Sequence, residues 1–148
     1  MAARASGNLH LGPRELFAGL TAALCEAVAA CVAANRRAGD GSALRDHIDQ
    51  LCRQTGKSPE ELGLAPEEAQ EPEVPFAGEH LWAWFWEVSE ARASNGFCLL
   101  PLSWVDIEAW ARLTATPLSP YEALTLRRMD AAYLSAHAQA TKKDKERL

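Results

Sequence analysis

Residues 79–93, EHLWAWFWEVSEARA, decide the fold. Leu81, Trp84, Phe85 and Val88 recur at i, i+3, i+4 and i+7, the spacing of one helical face. Trp82 and Trp86 fall beside that face, on its flank. The segment therefore predicts a helix with a buried stripe and surplus indole next to it. All five tryptophans of the chain lie between Trp82 and Trp110. Large aromatics dominate core and interface energetics, so the greatest burial capacity sits in the second half, the expected working part.

Downstream, Ser94-Asn95-Gly96 ends this helix and Phe97 to Leu102 is an apolar connector. Ser103-Trp104-Val105-Asp106 places a capping serine three residues before an acid, close to a capping box. It opens a helix with the stripe Ile107, Trp110, Ala111, which stops before Thr116-Pro117. Ser119-Pro120-Tyr121-Glu122 repeats the signature and opens a helix to about residue 140, lined by Leu126, Met129 and Tyr133. Residues 141–148, with Lys142, Lys143 and Lys145, read as a charged, frayed tail.

Upstream, residues 1–12 read as a flexible start. Gly12-Pro13-Arg14-Glu15 opens a helix over about 13–38, with proline at the first helical position. Leu16, Leu20, Leu24, Ala27, Val28 and Cys31 share one face, with Phe17 beside them. Ala18, Ala22, Ala29 and Ala33 form a second, small-residue face. That face suits self-association with a copy; the alternatives are intramolecular packing onto residues 42–55 and plain alanine helix propensity. Arg36-Arg37 and Gly39-Asp40-Gly41 mark its end. Residues 42–55 read as a second helix, with Leu44, Ile48 and Leu51 inward. Ser58-Pro59-Glu60-Glu61 opens a short turn ending near Gly63.

Residues 64–78 combine Pro66, Pro72 and Pro75 with Glu67, Glu68, Glu71 and Glu73, the composition of a solvated linker. The organisation read from the chain is a helical N-terminal unit over 1–63, this linker, and a Trp-rich three-helix unit over 79–140. No alternating run of strand length occurs, so the fold class is all-α, a small bundle of about five helices.

At 148 residues and 48% hydrophobic, the chain has the size and apolar content for a single core. A net charge of −5 argues against sequence-independent binding to phosphate backbones. Leu16 to Ala34 is apolar enough to raise the membrane question; Glu26 and the high alanine and glycine content favour a soluble helix. The cysteines at 25, 31, 52 and 98 form no Cys-x-x-Cys pair, and the histidines at 10, 47, 80 and 137 show no paired metal spacing. The expectation is reduced thiols, no metal and no cofactor.

Catalytic signatures are missing: no phosphate-cradling glycine loop, no nucleophile elbow, no His-Glu-x-x-His. Asp106 and Glu108 face apart on a helix. Arg127-Arg128 beside Asp130 reads as an exposed, charge-balanced face. Asp106 to Met129 has the outline of a helix-turn-helix, but Glu122 puts a carboxylate where phosphate contacts are wanted. An αα-corner packing Trp104, Trp110 and Met129 is the structural alternative.

His80 to Leu134 resembles the C-terminal region of phage tail assembly chaperones. The resemblance is carried by Leu81 to Glu87, Arg92, Asn95-Gly96-Phe97, Pro101 to Trp104, Ile107 to Thr114, Leu118 to Glu122 and Leu126 to Leu134. It implies an α-helical, non-enzymatic protein that coats the tape measure protein, keeps its apolar helices soluble and recruits tail tube subunits. It also implies action in the host cytoplasm and absence from the finished virion. On this reading Trp82, Trp86, Phe97, Trp104, Arg127 and Arg128 contact partners, the partners are tape measure and tube proteins with a homo-oligomer as a further state, and neither nucleic acid nor membrane is bound. The rival reading is a small phage-encoded regulator or inhibitor of a host protein.

Overall fold

A computed structural model describes residues 13–35, 44–63 and 72–146. Expectations for residues 1–12, 36–43, 64–71 and 147–148 lie outside the described residues. The elements, in chain order, are α1 (Pro13–Ala34), α2 (Leu44–Thr55), a 3-10 turn (Phe76–Gly78), α3 (Glu79–Ser89), α4 (Trp104–Leu113) and α5 (Pro120–Glu146). Among the described residues there is no strand, only an isolated bridge between Ser94 and Leu99. The all-α expectation holds.

The stripes named from periodicity meet in one core. Leu24 and Val28 of α1, Leu81, Phe85 and Val88 of α3, Ile107 of α4, and Leu126 and Met129 of α5 are all buried together, joined by Leu102 from the connector. Each helical member comes from an i, i+3, i+4 pattern whose apolar side turns inward because burial of such side chains drives the packing.

α1 packs mainly on α5, not chiefly on residues 42–55. The Phe17 and Tyr121 rings lie 4.6 Å apart. Tyr121 Oη donates to the Phe17 carbonyl at 2.8 Å, and the Thr21 hydroxyl lies 2.9 Å from Tyr121 Oη and 3.2 Å from Thr125 Oγ1. A four-residue step on α1 answers a four-residue step on α5, so the two helices run parallel. The reason for this pairing is polar as well as apolar. Thr21 and Thr125 are buried, and buried hydroxyls need partners. Of the small-residue face, Ala18 and Ala22 are exposed and Ala29 and Ala33 half-buried. Arg14–Ala34 has the length and mean hydropathy, 2.0, of a membrane-crossing helix; here its apolar side supplies Leu24 and Val28 to the core.

Two boundaries differ from the periodic reading. α3 ends at Ser89 instead of continuing to 93, because Arg92 turns inward to ion-pair with Asp130. α5 continues to Glu146: Lys and Glu are good helix formers, and lysines suit the C-terminal end of a helix dipole. In α2, Ile48 is buried and Leu51 half-buried.

Gly78 brings the turn before α3 onto α1. A Cβ at this position would stand 2.9 Å from Leu24 Cδ2 and 3.1 Å from Leu20 Cδ1. Leu24 is fully buried and has little room to yield, so Gly78→Ala is expected to cost about 1–3 kcal/mol through overpacking. A lowered urea midpoint with an unchanged slope would report it; an unchanged midpoint would show the contact to be soft.

Candidate protein-docking surface

The indoles of α3 divide as their register dictates. Trp84 sits half-buried among Trp110, 6.0 Å between centroids, and His80 at 5.0 Å. Trp82 and Trp86, one turn apart on the flank, stack edge-to-face at 5.4 Å. Trp86 also contacts Phe85 at 5.1 Å and Tyr133 at 5.9 Å. Both flanking indoles are packed against the core on one side and open to solvent on the other.

The connector between α3 and α4 is held from below by α5. Asp130, 1% exposed, faces the Arg92 Nη1 atom at 2.6 Å and accepts the Leu102 amide at 3.0 Å. Arg92 also donates to the Leu100 carbonyl, and its guanidinium lies 4.8 Å over the Tyr133 ring. The expectation of an exposed charge-balanced face is corrected here: Arg128 is exposed, but Asp130 is buried because the connector needs an acceptor beneath it. Neither the Arg92–Asp130 pairing nor the Thr21–Thr125 contact was read from the sequence. A lone Asp on the Leu126–Met129–Tyr133 side of α5 was the only signal for the first.

From this base the loop rises to Phe97. Asn95 Oδ1 accepts the amides of Phe97 and Cys98 at 3.0 and 2.9 Å. Ser94 Oγ accepts the Gly96 amide and donates to the Cys98 carbonyl. Gly96 takes φ +87°, a left-handed conformation that glycine adopts without a Cβ clash. The result is a hydrogen-bonded turn with Phe97 at its tip, 98% exposed.

Trp104 opens α4 half in solvent, 51% exposed, and so is not sealed in a corner with Trp110 and Met129. The Arg127 guanidinium covers one side of its ring, 5.3 Å from the centroid. Arg127 Nη1 donates to the Leu102 carbonyl. Val105, Leu113 and Leu124 are also exposed. A groove of about 350 Å³ runs between α4 and the start of α5, walled by Trp104, Ile107, Ala111 and Leu118 with Glu108 and Arg112 at its edge. A second, largely apolar groove of about 690 Å³ lies between the N-terminal ends of α1, α3 and α5; Leu16, Phe17, Leu20, Pro75, Leu81 and Tyr121 are among its walls.

Two capping boxes fix the helix starts that frame these grooves. Ser103 and Asp106 exchange bonds at 2.8 and 3.1 Å, and Ser119 and Glu122 do so at 2.8 and 3.3 Å. Hydrogen bonds from the Ser103 side chain and amide hold the Asp106 carboxyl below its ordinary 3.8. Burial pushes Glu122 up, but bonds from Ser119 and His80 outweigh it and hold Glu122 below 4.5. Both folded values are depressed, so the stability they contribute is complete above the unfolded values and is lost as pH falls through the folded ones. The acid-side loss from these two carboxylates should therefore set in as pH falls below about 4. Ser103→Ala with Ser119→Ala should shrink that acid-side drop; an identical drop in the double variant would assign it elsewhere.

Fold and surface together define a class: a helical scaffold that seals one set of aromatic and aliphatic side chains in its core and holds another set out in water. The chain belongs to the phage tail assembly chaperone family, which matches residues 52–135, more than half of its length. The match reaches upstream of the resemblance at 80–134, to the end of α2, while α1 lies outside it. No curated protein and no solved structure matches the chain.

Proposed function

We propose that this protein chaperones tail assembly by reversibly binding apolar helical segments of the tape measure protein and by contacting tail tube subunits. On this reading it acts without catalysis and without a cofactor in the cytoplasm of the infected host, and is left out of the finished virion. The observation that supports it most is Phe97, a fully exposed aromatic on a loop tied down by its own hydrogen bonds. Large exposed apolar groups mark interaction sites, and a preorganised one loses little freedom on binding. Trp82, Trp86, Trp104, Arg127 and Arg128 are the further partner contacts of this reading, and Ala18, Ala22, Ala29 and Ala33 its surface for a homo-oligomer.

The test is co-expression and pull-down with tape measure and tube proteins. Binding to neither overturns the reading. Phe97→Ala should leave the unfolding free energy within about 0.5 kcal/mol of the parent, since the ring has no packing to lose. The same change should weaken capture of the tape measure protein about tenfold or more, as a truncated hot-spot aromatic does. Equal capture by both forms would remove Phe97 from the surface.

A further inference from the structure

We infer that the trough along α1 takes an apolar helix of the protein partner that carries lysine or arginine on its flank. The inference rests on the chaperone reading above and adds the chemistry of one bound segment. The groove between the N-terminal ends of α1, α3 and α5, about 690 Å³, meets another of about 500 Å³; Ala23 and Pro75 line both. Together they follow α1 from Glu15 to Ala30, about 22 Å at 1.5 Å per residue, room for a helix of about four turns. Leu16, Phe17, Leu20, Ala27 and Ala30 supply its apolar floor. Leu16 is 61% exposed, and Phe76, between the lining residues Pro75 and Ala77, is 88% exposed. Apolar groups of this size left in water mark interaction sites, and an apolar groove of this length suits a helix.

The charge along the trough has one sign. Glu15, Glu26, Glu73 and Glu122 line it, and no described lysine or arginine does. The one basic side chain among its described lining residues is His80, which already bonds Glu122 at 3.2 Å. Among the described residues neither Glu26 nor Glu73 has an ion pair or a side-chain hydrogen bond. The Arg128 charge acts on Cys25, which is no part of the trough and lies about 100° around α1 from Glu26. A cationic flank would neutralise Glu26 and Glu73, whereas an acidic one would add like charge beside them. Complementarity of this kind chooses among apolar partners more than it adds affinity.

The experiment uses the full chain and three labelled model helices with one shared leucine face, flanked by Lys, Gln or Glu, read by fluorescence anisotropy. The Lys-flanked helix should bind about tenfold or more tightly than the Glu-flanked one, with Gln between. A net charge of −5 favours a cationic helix anywhere on the surface, so the order must be traced to the trough's own carboxylates. Glu26→Lys with Glu73→Lys should invert it. Glu90→Lys with Glu108→Lys makes the same change of net charge at exposed positions outside the trough and should leave the order in place. Leu16→Ser should weaken all three helices about fivefold or more, through lost apolar burial. Should the trough lysine variant fail to fold, Glu26→Gln with Glu73→Gln should narrow the preference toward equality. Equal binding of the three helices, an order that survives the trough variants, or an order lost equally in Glu90→Lys with Glu108→Lys overturns the inference. A mass that rises with concentration, and returns to the monomer in Leu16→Ser, would seat a second copy in the trough and overturn it too. Capture of the tape measure protein is scored separately, so failure of that capture with the peptide order intact would count against the proposed partner and not against the trough.

Discussion

Asp130→Ala is expected to lower the unfolding free energy by about 3–5 kcal/mol, because it strands the buried Arg92 guanidinium without its counter-charge. Arg92 and Asp130 side chains are 5% and 2% exposed, so water cannot replace the lost partner. The change also orphans the Leu102 amide, a buried donor. Asp130→Asn should cost less, since an amide oxygen still accepts from Leu102. Combining Asp130→Leu with Arg92→Met removes both charges and should recover part of the loss. It should not recover all of it, because the Leu102 amide stays unpaired, at about 1–3 kcal/mol. The order Ala worst, double variant intermediate, parent best is read from urea midpoints. If Asp130→Ala costs less than about 1 kcal/mol, the pair is open to solvent and the connector has another support.

The connector gives this prediction a functional side. Leu102 is gripped on both sides of its Cα, its amide by Asp130 and its carbonyl by Arg127. Phe97 and Trp104 stand on either side of that grip. Loosening it should raise hydrogen exchange at the Leu102 amide and weaken partner capture even where the helices survive. Stability and presentation of the proposed docking surface would thus share one carboxylate.

Helical periodicity made the scaffold legible: every buried residue of α3, and Ile107, Leu126 and Met129 in α4 and α5, follows from one-dimensional spacing. The capping boxes at Ser103 and Ser119 were legible for the same reason, since they depend on residues three apart. Contacts between distant residues were not. Thr21 lies 100 positions from Tyr121, and no local pattern distinguishes a threonine that bonds across helices from one facing solvent. Asp130 read as surface because its neighbours Arg127 and Arg128 are charged, whereas its burial is set by Arg92 and Leu102 on another element. Phe97 was placed in an apolar connector by the sequence, but the turn that presents it could not be read there, because it comes from Asn95 and Ser94 bonding the loop to itself.

Phe85→Ala is the second large effect, at about 3–5 kcal/mol, the loss expected when a fully buried phenyl leaves a cavity that its neighbours only partly fill. Phe85 is 0% exposed and belongs to the cluster shared by α1, α3 and α5. Its ring touches Trp86 at 5.1 Å and Tyr133 at 6.0 Å between centroids, so the void opens beneath the flanking indoles. Phe85→Leu keeps most of the volume and should cost about 1–2 kcal/mol. Tryptophan emission should shift to the red in Phe85→Ala before global unfolding, because Trp86 loses the wall behind it. Phe97→Ala removes the same side chain twelve residues away and should move stability by less than about 0.5 kcal/mol. The contrast isolates one variable, burial, with the chemistry held constant. If the two variants lost stability equally, the division between a sealed core and an exposed docking rim would be wrong, and with it the reason for assigning Phe97 to a partner.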